Sequence, residues 1–165
     1  MKRPLLIPIL LVVLSIPLFA QQPREHRSLF YGVGGAGVGV GGGASGGTFQ
    51  VGFGGEGLIT KSAGMGGEIS YLGAFEGIRN GIGIASVTGG YHFEAAGSGK
   101  KVVPFASGGY SLLFRSGSTS GVNFGGGVNY WMKDRVGLRF EVRDYLFPLD
   151  GVANVVSFRV GILFR

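Results

Sequence analysis

The stretch Val136-Gly-Leu-Arg-Phe-Glu-Val-Arg143 alternates strictly between two kinds of side chain. Its even positions are large and apolar, whereas its odd positions hold glycine or a charge. A period of two residues is typical of a β-strand with one apolar and one charged face. The alternation returns from Val156 to Phe164, so we predict a hairpin. A soluble sheet would bury the apolar face, whereas a transmembrane barrel turns that face toward lipid and encloses the charges.

The amino terminus has the pattern of a secretory signal peptide. Lys2 and Arg3 precede an apolar run that ends at Phe19, and Ala20 marks a plausible cleavage site. The run is interrupted by prolines and is shorter than the roughly 20 apolar residues that a spanning helix needs. We therefore predict a signal peptide (residues 1–20), a flexible lead (residues 21–28) and one domain (residues 29–165), which the strands described below identify as an outer-membrane β-barrel.

Composition excludes several classes of function. The chain has no cysteine, and therefore no disulfide framework and no thiolate metal site. The net charge of +6 comes from basic residues that are spread along the chain, which argues against a nucleic-acid partner. The 35 glycines alternate with apolar residues, unlike those of collagen or a linker. The segment 32–37 fits a dinucleotide fingerprint, but another strand follows it where a helix is required, so we expect no cofactor.

The rest of the chain contains six further alternating segments. We predict these strands at Leu29–Val40, Thr48–Ile59, Ala63–Phe75, Ile82–Ala95, Val102–Arg115 and Thr119–Trp131, with turns at 41–46 and 76–81 among those that join them. In the fifth strand the apolar residues change parity between Phe105 and Tyr110, which indicates a bulge near Gly108 and Gly109. The total is an all-β, eight-stranded antiparallel up-and-down barrel, whose long strands favour a membrane over water.

Aromatic residues cluster near the predicted strand ends, where a membrane barrel has its interfacial girdles. The residues assigned to these girdles are Tyr31, Tyr71, Phe75, Tyr91, Phe93, Phe114, Tyr130, Trp131, Tyr145, Phe147 and Phe164.

Four segments resemble the small outer-membrane β-barrel domain proteins, relatives of the transmembrane domain of outer-membrane protein A. They are Pro104–Gly109, Val122–Tyr130, Asp134–Tyr145 and Ser157–Phe164. The resemblance implies an outer-membrane location, both termini in the periplasm, and a last strand that the barrel assembly machinery reads. Phe158, Val160, Ile162 and Phe164 would carry that assembly signal, although the chain departs from the family pattern by ending in Arg165.

Charged residues on the polar strand faces are the candidate site. They are Glu56, Glu68, His92, Glu94, Arg139, Glu141, Arg143 and Arg159, with Arg115 as a further candidate. Since an eight-stranded barrel is just wide enough to be filled by side chains, we predict a lumen plugged by salt bridges. A narrow porin-like pore for ions or small solutes is the alternative.

Two other classes of protein remain to be tested. A lipid A-modifying enzyme would need His92 and Glu94 beside Ser70 or Ser86, and a soluble lipocalin-like binder would have the charges outside. We expect a monomeric, non-enzymatic protein with a structural role in the envelope. Its expected partners are outer-membrane lipid, lipopolysaccharide and the assembly machinery.

Overall fold

The computed structural model describes residues 28–41, 44–93, 99–115, 117–148 and 152–165. These residues form eight β-strands: β1 (Ser28–Gly41), β2 (Ala44–Leu58), β3 (Ala63–Ala74), β4 (Gly77–His92), β5 (Val102–Phe114), β6 (Ser118–Trp131), β7 (Val136–Pro148) and β8 (Val152–Phe164). Each strand pairs antiparallel with its neighbours in sequence, and β8 pairs with β1 to close the sheet. The predicted eight-stranded up-and-down barrel is confirmed. Within the described residues, no helix is long and apolar enough to cross a membrane.

β2 and β4 extend further than predicted at the end of the barrel opposite the termini. The first connection is confined to residues 42–43, because Gly41 already pairs with Ala44. The predicted turn at 76–81 is wrong, since the chain turns at Phe75 and Glu76 and β4 begins at Gly77. Glycine-rich segments look like loops in sequence, but here their backbone groups continue the ladder. The predicted signal peptide and most of the lead lie outside the described residues, and Ser28 belongs to β1.

The predicted bulge near Gly108 and Gly109 is also wrong. The pairing of β5 with β4 and with β6 passes through these two glycines without a shift. Inward and outward positions alternate regularly along β5, and the apparent change of parity arises because Phe105 is an apolar residue on the inward face. A register shift does occur elsewhere in the sheet, between Leu72 and Ala74, where β3 pairs with β4.

The two faces of the barrel have the polarity of a membrane protein. Phe140, Val142 and Phe158 point outward and are 38%, 49% and 57% exposed, whereas Arg139 and Glu141 point inward and are 2% and 1% exposed. A water-soluble barrel would have the reverse arrangement, because exposed apolar area costs free energy in water. This distribution excludes the soluble lipocalin-like binder.

Four of the aromatic residues assigned to the girdles point into the barrel instead. Tyr31 and Trp131 belong to an apolar cluster with Leu29, Val33 and Leu163 at the end that holds the termini. Tyr145 and Phe147 belong to a second cluster, with Leu72, Ile84 and Leu113, at the opposite end. All four residues occupy the alternate positions of their strands that face the lumen. Nearness to a strand end was therefore not enough to predict that an aromatic side chain faces lipid. The lumen therefore has an apolar cluster toward each end, and the charged residues of β7 and β8 lie between the two clusters.

The narrow barrel explains the use of glycine on inward positions. A Cβ atom added to inward Gly109 would lie 2.7 Å from Thr88 Cα, closer than nonbonded carbon atoms approach. At the adjacent outward position, Gly108, the nearest atom would be 3.7 Å away. Strong curvature brings inward Cβ positions toward the backbone of the neighbouring strand, so glycine is needed there.

Candidate functional site: the polar network of the lumen

The charged residues that the barrel encloses come from strands far apart in sequence. Glu68 lies on β3, Arg139, Glu141 and Arg143 lie on β7, and Arg159 lies on β8. Their alternating positions place all five side chains on the inward face, where each is almost completely buried. Closure of the sheet brings β3 opposite β7 and β8, so that Glu68 meets partners more than 70 residues away.

Glu68 and Arg159 form the centre of this network. Arg159 Nη1 and Nη2 donate to the two carboxylate oxygens of Glu68 at 2.5 and 3.0 Å, and Arg143 Nη1 donates to Glu68 Oε2 at 3.2 Å. Such forked contacts between guanidinium and carboxylate combine charge attraction with a fixed geometry. Burial without them would cost several kcal/mol per ion, so the pairing is what makes these charges tolerable in the interior.

Glu141 contacts all three arginines. Its Oε1 accepts from Arg143 Nε at 2.8 Å and Nη2 at 2.6 Å, while its Oε2 accepts from Arg159 Nη2 at 2.7 Å and Arg139 Nε at 3.1 Å. Because Glu141 lies between Arg139 and Arg143 on one strand face, it neutralises two neighbours that would otherwise repel each other.

Arg139 connects this network to the apolar cluster near the termini. Its guanidinium carbon lies 3.8 Å from the centre of the Phe105 ring and 4.7 Å from that of Tyr31. A cation over an aromatic face is attracted by the negative charge of the ring face, and the attraction increases when water is excluded. This contact accounts for aromatic residues on the inward face, which the alternation of charge in the sequence did not reveal.

His92 and Glu56 form a separate inward pair near the same end of the barrel. The two atoms His92 Nε2 and Glu56 Oε1 are 2.9 Å apart, and both side chains are largely buried. Gly64 and Gly90 give the carboxylate its room, since a Cβ at either position would come within 2.7 Å of Glu56 Oε1. The eighth predicted residue, Glu94, lies outside the described residues, and Arg115 is exposed beyond the end of β5.

Several neutral side chains extend the network toward the opposite end. Gln50 Nε2 donates to Ser70 Oγ at 2.8 Å and to Tyr145 Oη at 2.9 Å. Ser111 Oγ lies 2.8 Å from Ser86 Oγ and also accepts from Asn123 Nδ2 at 2.8 Å. Gln50 and Asn123 could be identified from the polar strand faces, whereas Tyr145 could not, because tyrosine occurs on either face of a membrane strand.

The network does not assemble the catalytic arrangement that an acyl-transfer enzyme requires. His92 Nε2 is directed at Glu56, while Ser70 bonds to Gln50 and Ser86 bonds to Ser111. A nucleophilic serine needs a histidine base within hydrogen-bond distance, and among the described residues neither candidate serine has one. Among the described residues, no group of three acidic, histidine or cysteine side chains could hold a metal ion.

The candidate assembly-signal residues lie on the outer surface of β8. Phe158, Val160, Ile162 and Phe164 all face outward and are between 39% and 57% exposed. They alternate with the inward residues Ser157, Arg159, Gly161 and Leu163. One strand therefore supplies both a continuous apolar outer stripe and a central charge of the lumen.

Sequence comparison finds no matching protein family and no matching curated protein. Comparison of the fold finds small outer-membrane barrels. The structure of Neisserial surface protein A matches with a TM-score of 0.72 and 12% identity, over 84% of this chain and 97% of that one. The N-terminal β-barrel domain of OprF from Pseudomonas aeruginosa matches with a TM-score of 0.61 and 15% identity, over 86% and 100%. Ail, the attachment invasion locus protein of Yersinia pestis, matches with a TM-score of 0.55 and 14% identity, over 83% and 95%.

These matches confirm, at the level of the fold, the resemblance to small outer-membrane barrels. The apolar outer surface and the enclosed charges are what that membrane requires of a β-barrel. Fold and surface polarity together agree with the predicted outer-membrane location.

Proposed function

We propose that this protein is an integral outer-membrane barrel with a closed lumen and a structural role in the envelope. The observation that carries the proposal is the Glu68–Glu141–Arg159 cluster, in which every side chain is fully buried and contacts at least one other member. The barrel is a stable protein embedded in the membrane. Side chains fill its interior, so solutes have no path through it.

The apolar clusters at the two ends of the lumen, together with the ion pairs, support a closed lumen more strongly than the ion pairs alone. Apolar clusters lie on both sides of the charged layer, one containing Trp131 and Leu163 and the other Ile84 and Phe147. A hydrated ion would have to pass both apolar clusters and also separate guanidinium groups from carboxylates that hold them in forked contacts. The narrow porin-like pore is therefore the less favoured alternative.

The partners follow from the outer surface. The apolar outward side chains contact outer-membrane lipid and lipopolysaccharide, and the outer stripe of β8 is the element that the barrel assembly machinery would read during insertion. At the rim opposite the termini, successive strands are separated by only two or three residues, which leaves little surface for a large external ligand. We propose that the barrel is a monomer in the membrane.

Conductance across a planar bilayer tests the closed lumen. We expect the folded protein to give no steady single-channel current. A Glu68→Ser/Arg159→Ser variant, which empties the centre of the charged layer but keeps both apolar clusters, should also remain closed. Folding of both samples is checked by the difference in gel mobility before and after boiling. Steady current from the folded parent protein would refute the closed lumen and favour the pore.

A further inference from the structure

Basic side chains concentrate at one rim of the barrel. The rim that holds the chain termini, here called the terminal rim, comprises the described residues 59–62, 93, 99–101, 132–135 and 165. Its charged residues are Lys61, Lys100, Lys101, Lys133, Asp134, Arg135 and Arg165. At the opposite rim, the charged side chains that the structure describes are Glu76 and Arg115, which balance each other. Among the described residues, the charge is therefore asymmetric along the barrel axis.

Four of these basic residues are held together around Trp131. The Trp131 amide donates to the Lys101 carbonyl at 2.7 Å, and the Arg165 guanidinium carbon lies 4.2 Å from the centre of the Trp131 ring. The Arg165 amide donates to the Arg135 carbonyl at 3.2 Å, and Lys133 lies in the same turn. The backbone of these residues is thus held by hydrogen bonds, and the Arg165 guanidinium is held against the Trp131 ring.

The basic residues lie directly beside the end of the apolar outer surface. Val102, Met132 and Phe164 are each 48% or 49% exposed, and each is adjacent in sequence to a residue of the terminal rim or belongs to it. This order of apolar and then basic groups along the barrel axis complements a phospholipid, in which the acyl chains adjoin a phosphate headgroup. Lysine and arginine side chains can bury their stems in apolar surroundings while their charged ends reach the headgroups.

We infer that the terminal rim binds the phosphate headgroups of anionic phospholipids. A polybasic segment at a membrane surface gains affinity for anionic lipid with each basic residue, and the attraction falls off within a Debye length. In the orientation that the family resemblance implies, this rim meets the periplasmic leaflet. The barrel would then select its neighbouring lipids at one leaflet by charge, which goes beyond the proposed structural role.

The test compares spin-labelled phosphatidylglycerol with spin-labelled phosphatidylcholine bound to the full chain in liposomes. We expect the protein to prefer phosphatidylglycerol by about threefold or more at low salt, and the preference to decline as salt is added. The variant Lys61→Gln/Lys101→Gln/Lys133→Gln/Arg135→Gln removes four exposed charges and should bind the two lipids nearly equally.

A charge-conserving variant is the matched control. Lys61→Arg/Lys101→Arg/Lys133→Arg/Arg135→Lys changes the same positions but should keep the preference of the parent. Equal binding of both lipids by the parent, a preference that salt does not weaken, or a preference that survives in the glutamine variant would overturn the inference. Binding of the parent to isolated peptidoglycan without lipid preference would also overturn it and would assign the rim to the cell wall. Since lipid preference does not depend on conductance, either proposal can fail without the other.

Discussion

At the scale of single residues, the balance of buried charge dominates this barrel. Three arginines share two carboxylates in the charged layer, so each glutamate is indispensable to more than one cation. The alternation of residues in the sequence was enough to predict that Glu68, Arg143 and Arg159 face inward. The alternation could not reveal that Phe105 and Tyr31 cover Arg139, because aromatic residues occur on both the lipid-facing and the lumen-facing side of a membrane strand.

Replacing Glu141 by glutamine should strongly destabilise the barrel. Glu141→Gln preserves the shape of the side chain but leaves three buried guanidinium groups with the single carboxylate of Glu68. We expect the free energy of unfolding to fall by about 3–5 kcal/mol, the usual cost of removing one partner from a buried ion pair. Urea titration in lipid vesicles, followed by the fluorescence of Trp131, the single tryptophan, measures this change.

Asp134→Asn is the control for the same chemical change in a different place. Asp134 is exposed at the terminal rim, so its replacement should alter the free energy of unfolding by no more than about 0.5 kcal/mol. Equal effects of the two substitutions would mean that the charged layer does not carry the stability assigned to it.

At the scale of elements, β5 shows how far a strand can be predicted from its own sequence. Its existence and its limits were predicted to within one residue at either end. The predicted bulge was wrong, because Phe105 was taken as a marker of the lipid face although it points inward. The pairing of β5 with β4 and β6 decides the direction of its side chains, and that pairing is not visible within the strand.

Adjacent glycines in β5 offer a test of this register. We expect Gly109→Ala to lower the free energy of unfolding by about 1–3 kcal/mol, because the added methyl group would overlap the backbone of β4 at Val87 and Thr88. Gly108→Ala points outward and should change it by about 0.5 kcal/mol at most. The two variants are compared by the same urea titration. A larger cost at Gly108 than at Gly109 would show that the bulge exists after all and that the parity of β5 is inverted.

At the scale of the whole molecule, the solvent around the barrel decides which substitutions it tolerates. Val142 lies at the middle of β7 and is 49% exposed on the outer surface. In water an arginine at such a position would be harmless, whereas in a bilayer it must displace acyl chains or draw water inward. Stability in lipid therefore reports directly on the environment of the outer face.

Val142→Arg should lower the free energy of unfolding in phospholipid bilayers by about 2–4 kcal/mol, the cost of arginine at the membrane midplane. Met132→Arg introduces the same side chain at the terminal rim and should cost about 0–1 kcal/mol, because the charge there reaches the headgroups. Equilibrium unfolding in bilayers of defined thickness provides both values. A loss at Met132 as large as the loss at Val142 would argue against a membrane centred on the strands.

The amino-acid sequence by itself determined the barrel, its strand number and the separation of charged from apolar faces, because a period of two residues is a local property that every strand displays. Tertiary structure alone decided which charges meet, which aromatic residues close the ends and which glycines cannot be replaced. Glu68 and Arg159 are separated by 91 residues and come into contact only through closure of β1 against β8 and the stagger of strands between them. Curvature and stagger are properties of the closed sheet, so no single strand could encode them.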